Sequence, residues 1–188
     1  MKDLYAYGKF NNIPEISEFK SVETYAYFIQ NIVKLTNCKN YLELGVDNGH
    51  TIYFIRDHVE KCSAVDITDK LNDKNKIEFN LMTTDDFFSK NNDFFDIIFI
   101  DANHDFEFVK KDFENSLNFL NEFGIIILHD TDPMHPIMLI PVYCSDSYHI
   151  NDYVYVNHPE LDIITLPICD MGLTIVNRKK DRRVLKFV

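Results

Sequence analysis

Residues 95–100 read F-D-I-I-F-I, and residues 125–128 read I-I-I-L. Runs this short and this apolar belong to strands covered on both faces, the condition of a parallel sheet with helices on either side. Between them lies a helical pattern over residues 106–123, with Val109, Phe113, Leu117 and Leu120 on one face and Gly124 as the expected stop. Strand, helix, strand of this kind is the unit of an α/β fold.

The rest of the chain repeats the alternation. Residues 21–36 carry apolar residues at helical spacing (Val22, Tyr25, Ile29, Ile32, Val33), with Ser21 as N-cap. Strands are expected at 41–44, 62–66 and 77–82, with a helix over 51–59. Two more strands are expected at 162–166 and 173–176. In doubly wound sheets the ligand lies past the carboxyl ends of the strands. The positions that follow those ends are Gly45 to Gly49, Asp66, Thr83 to Asp86, Asp101 to His104, and His129 to Asp132. Acidic residues and histidines crowd them.

The first of these turns, Y-L-E-L-G-V-D-N-G-H-T (41–51), constrains the ligand. A dinucleotide fingerprint would need glycine at positions 47 and 50, which hold Asp47 and His50. A P-loop would need G-K-[ST], which is missing. A carboxylate in the turn repels phosphate, so a neutral or cationic nucleoside suits it better.

These residues resemble the class I S-adenosylmethionine-dependent methyltransferases. E-L-G-V-D-N-G is similar to their first motif, Asp66 ends strand two, and T-T-D-D-F-F (83–88) follows strand three. I-D-A-N-H (100–104), I-I-I-L-H-D-T (125–131) and the closing L-P-I-C-D-M-G-L-T-I-V resemble the small-molecule O-methyltransferase-like branch. Ala102 stands where that branch usually has glycine, and Glu122-Phe123-Gly124 replaces Pro-Gly-Gly. The likeness runs over roughly residues 40–177. It implies a Rossmann-like, mainly parallel seven-stranded sheet with a closing antiparallel hairpin. Residues 1–39 would form an N-terminal helical cap segment and 40–188 the cofactor-binding domain.

The resemblance also implies roles. Glu43, Gly45, Gly49, Asp66, Asp85, Asp86 and Asp101 would hold S-adenosylmethionine. Asp66 would face the ribose, and one of Asp85 and Asp86 the adenine, the other capping the next turn. Asp101, His104, His129 and Asp130 would form the catalytic mouth. Two convergent carboxylates suit Mg²⁺ or another hard divalent cation, with His129 as the third ligand. A histidine base, His104 first, is the alternative. His135, His149 and His158 read as surface residues. The implied reaction is O-methylation of a small molecule or glycan precursor. The alternative is a non-catalytic cofactor-binding or scaffold module on the same fold.

Composition bounds the partners. The four cysteines are scattered with no C-x-x-C pair, the opening M-K-D-L-Y-A-Y-G has no apolar h-region, and no apolar run has membrane-spanning length. A cytoplasmic location and no membrane contact are the expectations, with a homodimer as a candidate assembly. Tyr5, Tyr7 and Phe10 are candidates to cover the cofactor mouth or a dimer contact. The formal net charge is −11, and no basic stripe exists outside the 178–186 tail. Nucleic acid is therefore not the expected partner. Gel-shift assays at moderate salt should give no tight complex with single- or double-stranded nucleic acid. Micromolar binding that weakens on deleting residues 178–188 would reverse this reading.

Overall fold

The computed structural model describes residues 23–168 and 171–179. Ser21, the aromatic residues at 5, 7 and 10, Cys169 and the tail beyond Lys179 lie outside them. The order of elements is α1 (Glu23–Thr36), β1 (Asn40–Leu44), α2 (Ile52–Ile55), β2 (Lys61–Asp66), β3 (Glu78–Leu81) and α3 (Thr84–Lys90). There follow β4 (Phe95–Ile100), α4 (Phe106–Asn118), β5 (Leu120–His129), α5 (Ile150–Asn157), β6 (Leu161–Leu166) and β7 (Leu173–Arg178).

The seven strands form one sheet in the order β3-β2-β1-β4-β5-β7-β6. The first five pair in parallel, and β7 runs antiparallel to both β5 and β6. The doubly wound sheet with its closing hairpin is therefore as the sequence implies. Its order reverses between β1 and β4, where Leu44 lies opposite Ile100. Those two strand ends sit side by side, and everything past them can share one ligand.

Apolar residues in successive positions serve opposite faces. Tyr41, Ile97, Phe99 and Ile127 pack with Ile29 and Val33 of α1. Leu42, Leu44, Ile98, Ile100, Ile126 and Leu128 pack with Val109 and Phe113 of α4. That is why the sequence shows continuous apolar runs rather than alternation.

Three expectations need correction. Helix α4 ends at Asn118, not near residue 123, and Gly124 lies within β5 rather than stopping a helix. The guanidinium of Arg178 explains the early end. It donates to the carbonyls of Leu117, Leu120 and Asn121, supplying partners for groups that a helix end leaves open. Leu120 can then pair with Phe95, and a register shift separates this pair from Ile125–Ile97. The helix expected over 51–59 is also shorter, covering Ile52–Ile55. His158 is not a plain surface residue. Its ring nitrogens lie 2.8 Å from Glu114 and 3.1 Å from Glu160, tying the end of α5 to α4.

Helix α4 also buries a carboxyl group. Asp112 is 4% exposed. Burial pushes its pKa up to about 6, with Asp85 adding to the rise, against the hydrogen bond to Thr84 and the charge of Lys111. The folded pKa exceeds the unfolded one, so the folded state binds the proton more tightly. The stability this gives is full below the unfolded pKa and is lost as pH rises through about 6. Asp112→Asn should therefore lose this pH dependence. It should be more stable than the natural chain at about pH 8, by roughly 1–3 kcal/mol, and near parity at about pH 4. Urea unfolding at the two pH values measures the difference. Equal stability loss in both proteins on raising the pH would show that Asp112 is not the group responsible.

Candidate active site

The turn after β1 is held from below. Gly45 has φ +80°, and a Cβ there would stand 2.2 Å from the Asp101 carbonyl oxygen and 2.4 Å from the Ala102 Cα. No side chain can occupy that space, because the end of β4 fills it. Leu44 accepts from the Asp101 amide at 2.8 Å and Val65 accepts from the Gly45 amide at 2.9 Å, which locks β1 between its neighbours. Gly49, at φ +82°, faces the Tyr53 ring and Leu71. Both glycines thus serve the packing of the turn.

Asp66 organises the same turn from β2. Its Oδ2 accepts from the Val46 and Asp47 amides at 3.0 Å each. Its Oδ1 accepts from the Thr68 amide at 2.8 Å and the Thr68 hydroxyl at 2.9 Å. Burial acts against the charge, but these donors outweigh it and hold the carboxyl below the ordinary range. A carboxylate has about four acceptor positions, and all are used. Asp47 is itself paired with Lys70 at 2.5 Å.

Above the turn lies a cleft of about 130 Å³ whose lining includes Tyr25, Glu43, Asp47, His50, Thr51 and Asp101. Ligand pockets usually measure about 300–1,000 Å³, so this cleft has room for only one part of a nucleoside-sized molecule. Its lining contains Glu43, Asp47 and Asp101 and no lysine or arginine, so it offers acceptor oxygens and no positive charge of its own. Glu43 is buried and accepts from the Tyr41 hydroxyl at 2.7 Å. Burial pushes its pKa well above the carboxylate range. A larger hollow, about 410 Å³, opens at the opposite end of the sheet beside Asp96. There the Asp96 carboxylate is already taken by the Lys39 and Asn40 amides and by Asn121. The strand ends at the switch point are the better candidate.

Past β4 and β5 four side chains meet. His129 Nδ1 lies 3.1 Å from an oxygen of Asp101 and 3.1 Å from one of Asp130. It is aligned with neither, so the contact is ionic rather than a directed hydrogen bond. Burial opposes protonation of His129, but the charges of Asp101 and Asp130 outweigh it and raise its pKa well above the ordinary value. Tyr25 of α1 covers the imidazole, with ring centroids 4.5 Å apart. His104 Nε2 lies 3.1 Å from the other Asp130 oxygen, and its Nδ1 meets the Tyr143 carbonyl. Burial would raise the Asp130 pKa, yet the two histidines outweigh it and lower the value. Donor atoms of Asp101, His104 and Asp130 all lie within 4.8 Å of one another.

The structure therefore gathers Asp101, His104, His129 and Asp130 in one place, next to Glu43 and Gly45. It does not bring Asp85 or Asp86 to the cleft. Asp86 completes the cap of α3, its amide donating to the Thr83 hydroxyl at 3.1 Å. Asp85 pairs with Lys111 at 2.5 Å. Sequence reasoning missed Tyr25, which its helical spacing marked only as core. It also missed Tyr143, Cys144 and Ser147, which sit in a segment of no regular pattern and reach the mouth only through tertiary packing.

A family model described as a methyltransferase domain matches residues 42–131. No curated protein sequence gave a match. Solved structures do. One is a putative O-methyltransferase from Klebsiella pneumoniae, with TM-score 0.70 and 14% identity over 86% of this chain and 82% of that one. Another is the O-methyltransferase from Bacillus cereus in complex with S-adenosylhomocysteine, with TM-score 0.68 and 16% identity over 94% and 89%. A third is the O-methyltransferase TomG from Streptomyces achromogenes, involved in tomaymycin synthesis and solved with S-adenosylmethionine. It has TM-score 0.68 and 11% identity over 87% and 83%. Residues 42–131 thus match a methyltransferase domain, and the chain shares its fold with these solved O-methyltransferases.

Proposed function

We propose that this protein methylates a hydroxyl oxygen of a small molecule or glycan precursor. The observation that carries this reading is the meeting of Asp101, His104, His129 and Asp130 directly beside the acidic, glycine-containing turn. A cofactor cleft and a proton-handling cluster share Asp101, so a bound hydroxyl and a bound sulfonium would be neighbours. The solved relatives with S-adenosylhomocysteine and S-adenosylmethionine agree with such a cleft.

The donor set fits the cofactor. S-adenosylmethionine supplies a methyl group on a positively charged sulfur, and no phosphate. Asp101 gives the cleft negative charge to match it, while Glu43, held toward its neutral form by burial, and Asp47, paired with Lys70, offer oxygen atoms for hydrogen bonds. Asp66 would act on the ribose side. Its acceptor positions are filled by the turn and Thr68, so a ribose hydroxyl must share or replace one of them. Thr68 is the partner easiest to displace, since its hydroxyl and amide belong to an exposed loop.

The mouth also fits a hard divalent cation. Asp101 and Asp130 would hold it, with the His104 nitrogen as a third donor. Such an ion would lower the pKa of the acceptor hydroxyl. His129, the ligand that sequence favours, lies against both carboxylates instead and supports them as a cation. A histidine base is the second reading, favoured by the fact that both carboxylates already have imidazole partners. His104 is partly exposed and would take the hydroxyl proton once its Nε2 is free of Asp130. In either case positioning of the two reactants supplies much of the rate.

Calorimetric titration with S-adenosylmethionine and S-adenosylhomocysteine tests the cofactor. Asp66→Ala should weaken binding by about 1.5–3 kcal/mol; unchanged affinity in a folded variant would remove Asp66 from the site. The chemistry is tested by S-adenosylhomocysteine release across a library of hydroxylated small molecules. Asp130→Asn should abolish release and leave cofactor affinity nearly intact, because the amide keeps the shape and loses the charge; Asp101→Asn, at a residue that also lines the cleft, should abolish release and weaken cofactor binding as well. If chelation inactivates the protein and Mg²⁺ or Mn²⁺ restores it, the cation reading holds. Activity that survives chelation but falls with His104→Ala assigns the base instead.

A further inference from the structure

The β5–β7 ladder ends at the pair His129–Leu173. One residue later the chain turns with Asp130 at φ +60°. Left-handed backbone is costly for a residue with a side chain, and it persists where its surroundings over-determine it. The surroundings here are specific. Ser147 is 1% exposed, and its hydroxyl lies 2.6 Å from the Asp130 carbonyl and 2.6 Å from the Cys144 carbonyl. It has one proton, shared between two acceptors. The next peptide is held by Asn151, whose amide donates to the Thr131 carbonyl at 2.8 Å. Thr174 lies 2.8 Å from both Asn151 and the Thr131 hydroxyl. The Asp132 amide then reaches the Met171 carbonyl at 2.8 Å.

The same short stretch also touches the reacting groups. Cys144 Sγ is 3.5 Å from Asp130 Oδ1, and the Tyr143 carbonyl meets His104. Thus residues 143–151 grip the mouth from behind, at the backbone of Asp130 and at the ring of His104. The sheet hydrogen bonds do neither, because they stop at His129.

We propose that Ser147 is a positioning residue for the methyl transfer. Its hydroxyl fixes the peptide that follows Asp130 and so the direction from which that carboxylate approaches Asp101 and His104. The inference rests on the function proposed above but acts on geometry that exists without any ligand. It assigns the segment between β5 and α5, through Ser147, a part in aligning the carboxylate as well as covering the mouth.

The test is imidazole ¹⁵N NMR of the full chain with Ser147→Ala. The His104 and His129 ring signals should shift, because both rings contact Asp130. The His158 signals, tied to Glu114 and Glu160, should stay. If His104 and His129 keep their shifts in a folded Ser147→Ala protein, the proposal is overturned. Should that variant fail to fold, Ser147→Cys fills the space with a weak donor and is read against the same two outcomes. Turnover with a methyl acceptor should fall roughly 10- to 100-fold while cofactor affinity holds. Shifted imidazoles in a protein that binds no S-adenosylmethionine would leave Ser147 in place and sink the methyltransferase reading. Cofactor binding with unmoved imidazoles would do the reverse.

Discussion

The backbone of the turn after β1 is pressed against the end of β4, and the candidate site depends on that contact. Gly45 leaves its side-chain space to the Asp101 carbonyl and the Ala102 Cα. Because the two strand ends touch, the cleft that would take the cofactor and the cluster that would act on the acceptor share one residue, Asp101. A larger residue at position 45 would have to push β4 away, carrying Asp101 with it.

Bringing Asp101 and Asp130 together sets a second constraint. Like charges held close in a partly dry environment repel strongly, and buried charges need partners. Here the partners are two histidines. His129 sits between the carboxylates under the Tyr25 ring, and His104 faces the far oxygen of Asp130. The mouth is thus internally compensated, which lets two acids lie close together without a standing electrostatic cost of the usual size.

Much of this was legible in the sequence. The runs 95–100 and 125–128 announced strands buried on both faces, and the sheet contains them. Asp101, His104, His129 and Asp130 could be grouped beforehand because each follows a buried strand. Asp85 and Asp86 show where such reasoning stops: position after a strand does not say whether an acid faces a cleft, caps a helix or meets a lysine. The end of α4 was misjudged because its periodicity ran on to Leu120. The deciding partner, Arg178, lies about sixty residues away, beyond any local pattern. Ser147 was invisible for a related reason, since a serine in an irregular segment acquires meaning only from the carbonyl it meets.

Arg178 ties the middle of the chain to its last strand. Its guanidinium closes the open carbonyls at the end of α4 and the start of β5 across sequence separations of 57 to 61 residues. Contacts of such span form late, since loop closure must come first. During synthesis, α4 and the first residues of β5 would leave the ribosome well before their capping group does. The helix end and the bulge after Phe95 would stay frayed until β7 docks. Completion of β7 therefore finishes the centre of the sheet: a chain interrupted before residue 173 presents an unpaired edge at β5, the very strand that leads to Asp130.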